Sequence, residues 1–128
     1  MDKLIEEVKA EDFGFFCANI QETDLAGHQE NALKYANVLE IVDKELNKLI
    51  KILDKNDIMI ITADHGNDPK IGHSHHTREM VPILIYKDSC HNRYIGERDT
   101  LADIGQTAAD FFNKKLPDNG KSFLESIV

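Results

Sequence analysis

Three short stretches of this chain carry side chains of the types that ligate divalent cations. Asp64 and His65 end the apolar run Ile58-Met59-Ile60-Ile61-Thr62-Ala63 and lead at once into Gly66-Asn67-Asp68. Asp24 and His28 follow a second apolar run, Phe13 to Ile20, and His76 comes eleven residues after His65. Carboxylate oxygen with neutral imidazole nitrogen suits Mn²⁺, Zn²⁺ or a related divalent ion. Two strand ends and a loop that deliver such groups predict a two-metal catalytic centre. No side chain stands out as a nucleophile. Thr23 and Thr62 flank the ligands, but neither opens a helix whose amide dipoles could activate it. The centre is therefore expected to be incomplete within these residues.

Each stretch has a plainer reading. In Asp24-Leu25-Ala26-Gly27-His28 the two groups are four apart, and a loop with a flexible Gly27 would let them converge. Alone, they read better as solvated loop residues. In Asp64-His65-Gly66-Asn67 the glycine allows a sharp turn, and the alternative is Asp64 capping the next element with His65 on the surface. His73-Ser74-His75-His76-Thr77-Arg78-Glu79 holds three imidazoles in four residues, two of them bystanders. Arg78 suits a phosphate contact, or else pairing with Glu79 or Asp68. Gly120-Lys121-Ser122 is not a phosphate loop, because the pattern needs Gly at position 115 and the residue there is Lys.

These residues need elements to hold them. Phe13 to Ile20 and Ile58 to Ala63 read as strands buried on both faces, and Val81 to Tyr86 as a third, with Pro82 near its start. Residues 2–11 look like a helix end. Gln21 to Gln29 reads as a polar loop. From Glu30 to Leu53 apolar residues recur every three or four positions (Ala32, Tyr35, Ala36, Leu39, Val42, Leu46, Leu49, Ile50, Leu53), which predicts an amphipathic helix. Asp64 to Thr77 is a long loop. Thr100 with Asp103 resembles a capping box ahead of a helix burying Leu101, Ile104, Ala108, Phe111 and Phe112. Pro117 to Gly120 is a turn, and Ser122 to Val128 a short closing segment. The order β-α-β-loop-β-α predicts an α/β fold with a mainly parallel sheet, and ligands of such sheets gather beyond the carboxyl ends of the strands.

The chain has 128 residues, 41% hydrophobic and 30% charged, with a formal net charge of -8. That length allows one domain or a piece of one. The acidic balance argues against nucleic-acid binding. No apolar run approaches a membrane span, and residues 1–11 do not form a signal peptide, so a cytoplasmic location is expected. Cys17, inside an apolar run, reads as a buried small hydrophobe; Cys90, beside His91, reads as a loop thiol.

Thr-Asp-Leu-Ala-Gly-His, Thr-Ala-Asp-His-Gly-Asn-Asp-Pro, His-Thr-Arg-Glu-Met-Val-Pro and Leu-Ala-Asp-Ile-Gly-Gln-Thr together resemble the alkaline phosphatase superfamily, and within it the phosphopentomutase family. The resemblance runs from about residue 12 to the C-terminus and corresponds to the C-terminal third or so of the family's length. It implies that Asp24, His28 and His76 hold one ion and that Asp64 and His65 belong to the other. His76 is chosen over His75 because it directly precedes Thr-Arg-Glu. In the family an Asp and a phosphorylatable Thr from the N-terminal part complete the second site, and an inserted cap recognises the sugar phosphate; neither matches a segment of this chain. The Asp-x-x-x-His spacing of the first pair is one residue shorter than in typical phosphopentomutases and closer to cofactor-independent phosphoglycerate mutase.

The resulting expectation is a C-terminal part of a metalloenzyme core, residues 1–128, with a partial doubly wound sheet. The implied parent reaction interconverts ribose or deoxyribose 1-phosphate and 5-phosphate. Two divalent ions are expected, Mn²⁺ first and Zn²⁺ as the alternative. The substrate of the complete enzyme would be a pentose phosphate. The chain alone is expected to be inactive and to associate with itself or with a complementary N-terminal chain. The alternatives are a related phosphoglycerate mutase or metal-dependent phosphatase, or a non-catalytic association domain.

Overall fold

The longest amphipathic pattern in the sequence forms the longest helix. In the computed structural model, which describes residues 1–10 and 12–128, the elements run α1 (Asp2–Ala10), α2 (Glu22–His28), α3 (Ala32–Ile50), β1 (Met59–Thr62), β2 (Ile83–Tyr86) and α4 (Ala102–Phe111), with a 3₁₀ turn at Leu124–Ser126. Asn31 caps α3: its side-chain oxygen accepts from the Lys34 backbone N–H at 3.0 Å, which satisfies one of the orphan donors of the first turn. The helix stops at Ile50, short of the expected Leu53. No helix among the described residues is long and apolar enough to cross a membrane.

Gln21 to Gln29 is not a loop. It forms α2, with acidic Glu22 and Asp24 in the first turn and His28 in the last, an order that complements the helix dipole. Thr23 Oγ1 donates to the Ile20 carbonyl at 3.1 Å, and the helix packs against α3. So short a helix draws its stability from such packing rather than from propensity, which is why composition alone pointed to a loop.

The sheet is smaller than expected. It has two strands, β1 and β2, so among the described residues there is a mixed arrangement of helices with a small sheet and no doubly wound parallel sheet. Residues 12–20 form neither helix nor strand. A strand exists only as part of a ladder, and this run is not a strand of the β1–β2 sheet. Phe13 and Phe15 are 64% and 61% exposed, and Cys17 is exposed rather than buried.

The chain divides into two compact units. The first comprises Met1–Asp54 and Ile61–Leu84, the second Lys55–Ile60 and Ile85–Val128. In the first unit Ala26 and Leu49 are the buried hydrophobic residues; in the second they are Phe123 and Ile127. Large apolar side chains such as Leu33, Ile41 and Met80 stay exposed.

The second unit is built on a polar latch. The face of α4 that is buried carries Asp103, Gln106 and Thr107, whereas Leu101 and Phe111 are exposed. The apolar face expected from periodicity is thus not the buried one. The cause is the segment laid over the helix, whose backbone N–H groups need acceptors. Asp103 Oδ1 accepts from Lys121 N at 2.8 Å, and Thr107 Oγ1 accepts from Phe123 N at 3.0 Å. Asp103 Oδ2 accepts from Arg98 Nε at 2.7 Å, and Arg98 also donates to the Lys121 carbonyl at 2.9 Å. Thr100 accepts from Ala102 N at 3.2 Å, while the Asp103 carboxylate is turned to Arg98 and Lys121, so the pair is not a capping box. Gly120 has φ +95, and a Cβ there would lie 2.6 Å from the Ala102 carbonyl oxygen. Glycine is what lets the chain pass over the start of α4.

Candidate metal centre

Asp24 and His28 lie four residues apart on α2, so one helical turn stacks them on the same face. This, and not loop flexibility, brings them together: Asp24 Oδ2 is 3.2 Å from His28 Nε2. The loop between β1 and β2 folds back through a lone antiparallel bridge between Gly66 and Thr77. That bridge sets His65 and His76, which flank it, side by side. Their rings stack, with centroids 3.7 Å apart and planes 22° from parallel.

His76 Nε2 lies 3.1 Å from His28 Nε2 and 3.5 Å from Asp24 Oδ1. Asp24, His65 and His76 each offer a ligand atom, and these atoms lie within 4.8 Å of one another. His28 Nδ1 is 2.6 Å from the Ser74 carbonyl oxygen. A carbonyl only accepts, so His28 donates from Nδ1, and in the neutral ring this leaves the Nε2 lone pair facing Asp24 and His76. Orientation of a ring by a backbone carbonyl on its far nitrogen is the usual support of a metal-bound imidazole. Bonds of about 2.0–2.2 Å to one ion put neighbouring donor atoms about 2.8–3.6 Å apart. The separations lie in that range, with Asp24 presenting a different oxygen to each histidine: 3.2 Å from Oδ2 to His28, 3.5 Å from Oδ1 to His76, and 3.1 Å between the two imidazole nitrogens.

Asp64 stands apart. Its side chain is 84% exposed, and among the described residues its ion pair is with His65, Oδ1 lying 3.6 Å from Nε2. Arg78 is exposed and forms no ion pair among the described residues. His73 and His75 pair with each other, ring centroids 5.6 Å apart.

Burial alone would raise the Asp24 pKa. A hydrogen bond from Asn67 and favourable electrostatic interaction with the neighbouring His28, His76 and His65 imidazoles outweigh it and hold the carboxyl below the usual range. Asn67 is the residue that sequence reading passed over: its Nδ2 donates to Asp24 Oδ1 at 2.8 Å and to the Asp24 carbonyl at 3.1 Å. The only hint in the sequence is its place two residues after His65.

A family model for the metalloenzyme superfamily matches residues 1–116. The chain is 38% identical over 130 residues to a phosphopentomutase of Kosmotoga olearia, covering 100% of this chain and 33% of that protein. It is 41% identical over 125 residues to a phosphopentomutase of Vibrio cholerae, covering 96% of this chain and 31% of the relative. Against the phosphopentomutase of Clostridioides difficile the figures are 38% over 125 residues, 96% and 32%. The chain thus spans about a third of the length of the curated relatives it matches.

Proposed function

Because the chain belongs to the metalloenzyme superfamily, we propose that its Asp–His cluster is part of a two-cation centre for phosphoryl transfer on a pentose phosphate. In the protein as a whole the reaction would interconvert the 1- and 5-phosphates of ribose or deoxyribose, as the names of its relatives suggest. The observation that carries this reading is the Asp24–His28–His76 triangle, with the far nitrogen of His28 already tied to Ser74.

Asp24, His28 and His76 would hold one divalent ion, and Asp64 with His65 would turn toward a second. Mn²⁺ is the first choice and Zn²⁺ the alternative, since both accept mixed oxygen and nitrogen donors. Such ions, when bound, polarise a phosphoryl oxygen and stabilise the charge of an in-line displacement. The chain's own residues prepare the site. Asp24 is ionised at neutral pH, His28 is fixed with Nε2 facing inward, and the His65 ring lies flat against His76. Arg78, in no ion pair among the described residues, would receive a phosphate group.

A mutase also needs a side chain that carries the phosphoryl group between half-reactions. Within residues 1–128, Thr23 is occupied with the Ile20 carbonyl, and Thr62 Oγ1 turns to the neighbouring Ala63 carbonyl at 3.4 Å. The carrier and the sugar-phosphate cap would lie outside these residues. The 128-residue chain should therefore bind Mn²⁺ yet show no turnover with ribose 5-phosphate and an activating sugar bisphosphate. Calorimetric titration with Mn²⁺ and a coupled mutase assay test both halves. Absence of binding, or binding untouched by His28→Ala and His76→Ala, would remove the metal centre; robust turnover would place the carrier within this chain.

A further inference from the structure

We infer that Asn67 is a positioning residue that fixes the Asp24 carboxylate, and that Gly27 is a glycine in order to admit it. The role in the centre rests on the reading of Asp24 as a ligand. Asn67 reaches across 43 residues of sequence and spends Nδ2 on Asp24 twice, on side-chain Oδ1 at 2.8 Å and on backbone O at 3.1 Å. A donor that grips both the carboxylate and the carbonyl of one residue defines the side chain relative to its own helix. An Asp on a helix otherwise samples several rotamers. Held this way, Asp24 keeps Oδ2 at 3.2 Å from His28 and Oδ1 at 3.5 Å from His76. Ligating carboxylates are commonly oriented by such outer partners.

Gly27 supplies an independent observation. It lies inside α2, is buried, and has no left-handed φ. Backbone conformation therefore does not ask for glycine here, and glycine is a poor helix former. What the position lacks is room. A Cβ on Gly27 would overlap Asn67 Cγ and Oδ1 and lie 2.6 Å from Nδ2. The carboxamide sits in the space that any other residue would fill. Helix propensity and site geometry pull in opposite directions at this residue, and the sequence follows the site.

That opposition gives a test that a merely structural role would not pass. Asn67→Ala, Gly27→Ala and the double variant are compared with the parent chain in Co²⁺ absorption and Mn²⁺ titration. Asn67→Ala should weaken Mn²⁺ binding about 10- to 100-fold and change the Co²⁺ spectrum. Gly27→Ala should weaken it similarly while raising the helix content of the metal-free chain. The double variant should bind no worse than either single one, because both remove the same contact. In the metal-free chain, the Asn67 side-chain amide resonance should be shifted from the free position, should move part of the way back in Asp24→Ala, which keeps the backbone carbonyl, and should return to it in Gly27→Ala. Unchanged affinity and spectrum in Asn67→Ala, or multiplying losses in the double variant, overturns the inference. A parent chain that binds neither ion defeats the metal-centre reading instead. The amide resonance then decides the Asn67–Gly27 pairing by itself: a free-position resonance in the parent chain overturns it.

Discussion

Replacing Asp103 by Asn should cost the second unit about 3 kcal/mol. The carboxylate serves two donors with separate oxygens, Arg98 Nε on Oδ2 at 2.7 Å and Lys121 N on Oδ1 at 2.8 Å. An amide has one oxygen, so whichever way it turns, its NH₂ faces a donor. The loss is one hydrogen bond to a charged group, about 1.5–3 kcal/mol, plus a buried donor left without an acceptor, about 1–3 kcal/mol. Asp103 is 3% exposed and cannot recruit water freely, whereas Arg98 is 20% exposed and keeps the Lys121 carbonyl. Because Arg98 keeps water and a second acceptor, the total falls near the low end of the summed range. Urea unfolding followed by far-UV circular dichroism measures it. The pH dependence supplies a second reading. Burial raises the Asp103 pKa, but the Lys121 N–H and the Arg98 guanidinium outweigh it and hold the carboxyl below its ordinary value. A depressed folded-state pKa means that the stabilisation is complete above the unfolded value of about 3.9 and is lost as pH falls through the lower folded value. The gap between parent and variant should therefore stay constant from neutral pH to about pH 5 and close in stronger acid. A gap within about 0.5 kcal/mol at pH 7, the scale of an ordinary surface change, or one that persists unchanged into acid, would refute the latch.

Two further outcomes follow from the same structure. Gly120→Ala should destabilise by more than about 1 kcal/mol, because φ +95 is strained for alanine and the new methyl meets the Ala102 carbonyl; an unchanged unfolding midpoint would mean that the turn has another way over α4. Exposed Phe13, Phe15, Leu33 and Ile41 leave much apolar surface in water, and such surface favours association. Sedimentation at micromolar concentration should show a dimer or larger species, and a clean monomer that binds no hydrophobic dye would count against it.

The sequence by itself determined the local elements whose signal repeats. The three-and-four spacing from Ala32 to Ile50 marks α3, and the β-branched run around Met59–Thr62 marks β1. It also singled out Asp24, His28, Asp64, His65 and His76 by residue type, since few side chains suit a divalent ion. Tertiary structure decided the rest. Whether Phe13–Ile20 pairs as a strand depends on a neighbour that periodicity cannot see. Whether Gln21–Gln29 coils or forms α2 depends on packing against α3 and on Asn67, 43 residues away from Asp24. The buried face of α4 was set by the backbone N–H groups of Lys121 and Phe123, which selected Asp103 and Thr107 over Leu101 and Phe111. Likewise His65 lies by His76 because the Gly66–Thr77 bridge folds the loop. Local propensity is written in neighbouring residues, whereas hydrogen-bond partners for a buried backbone come from wherever the chain returns.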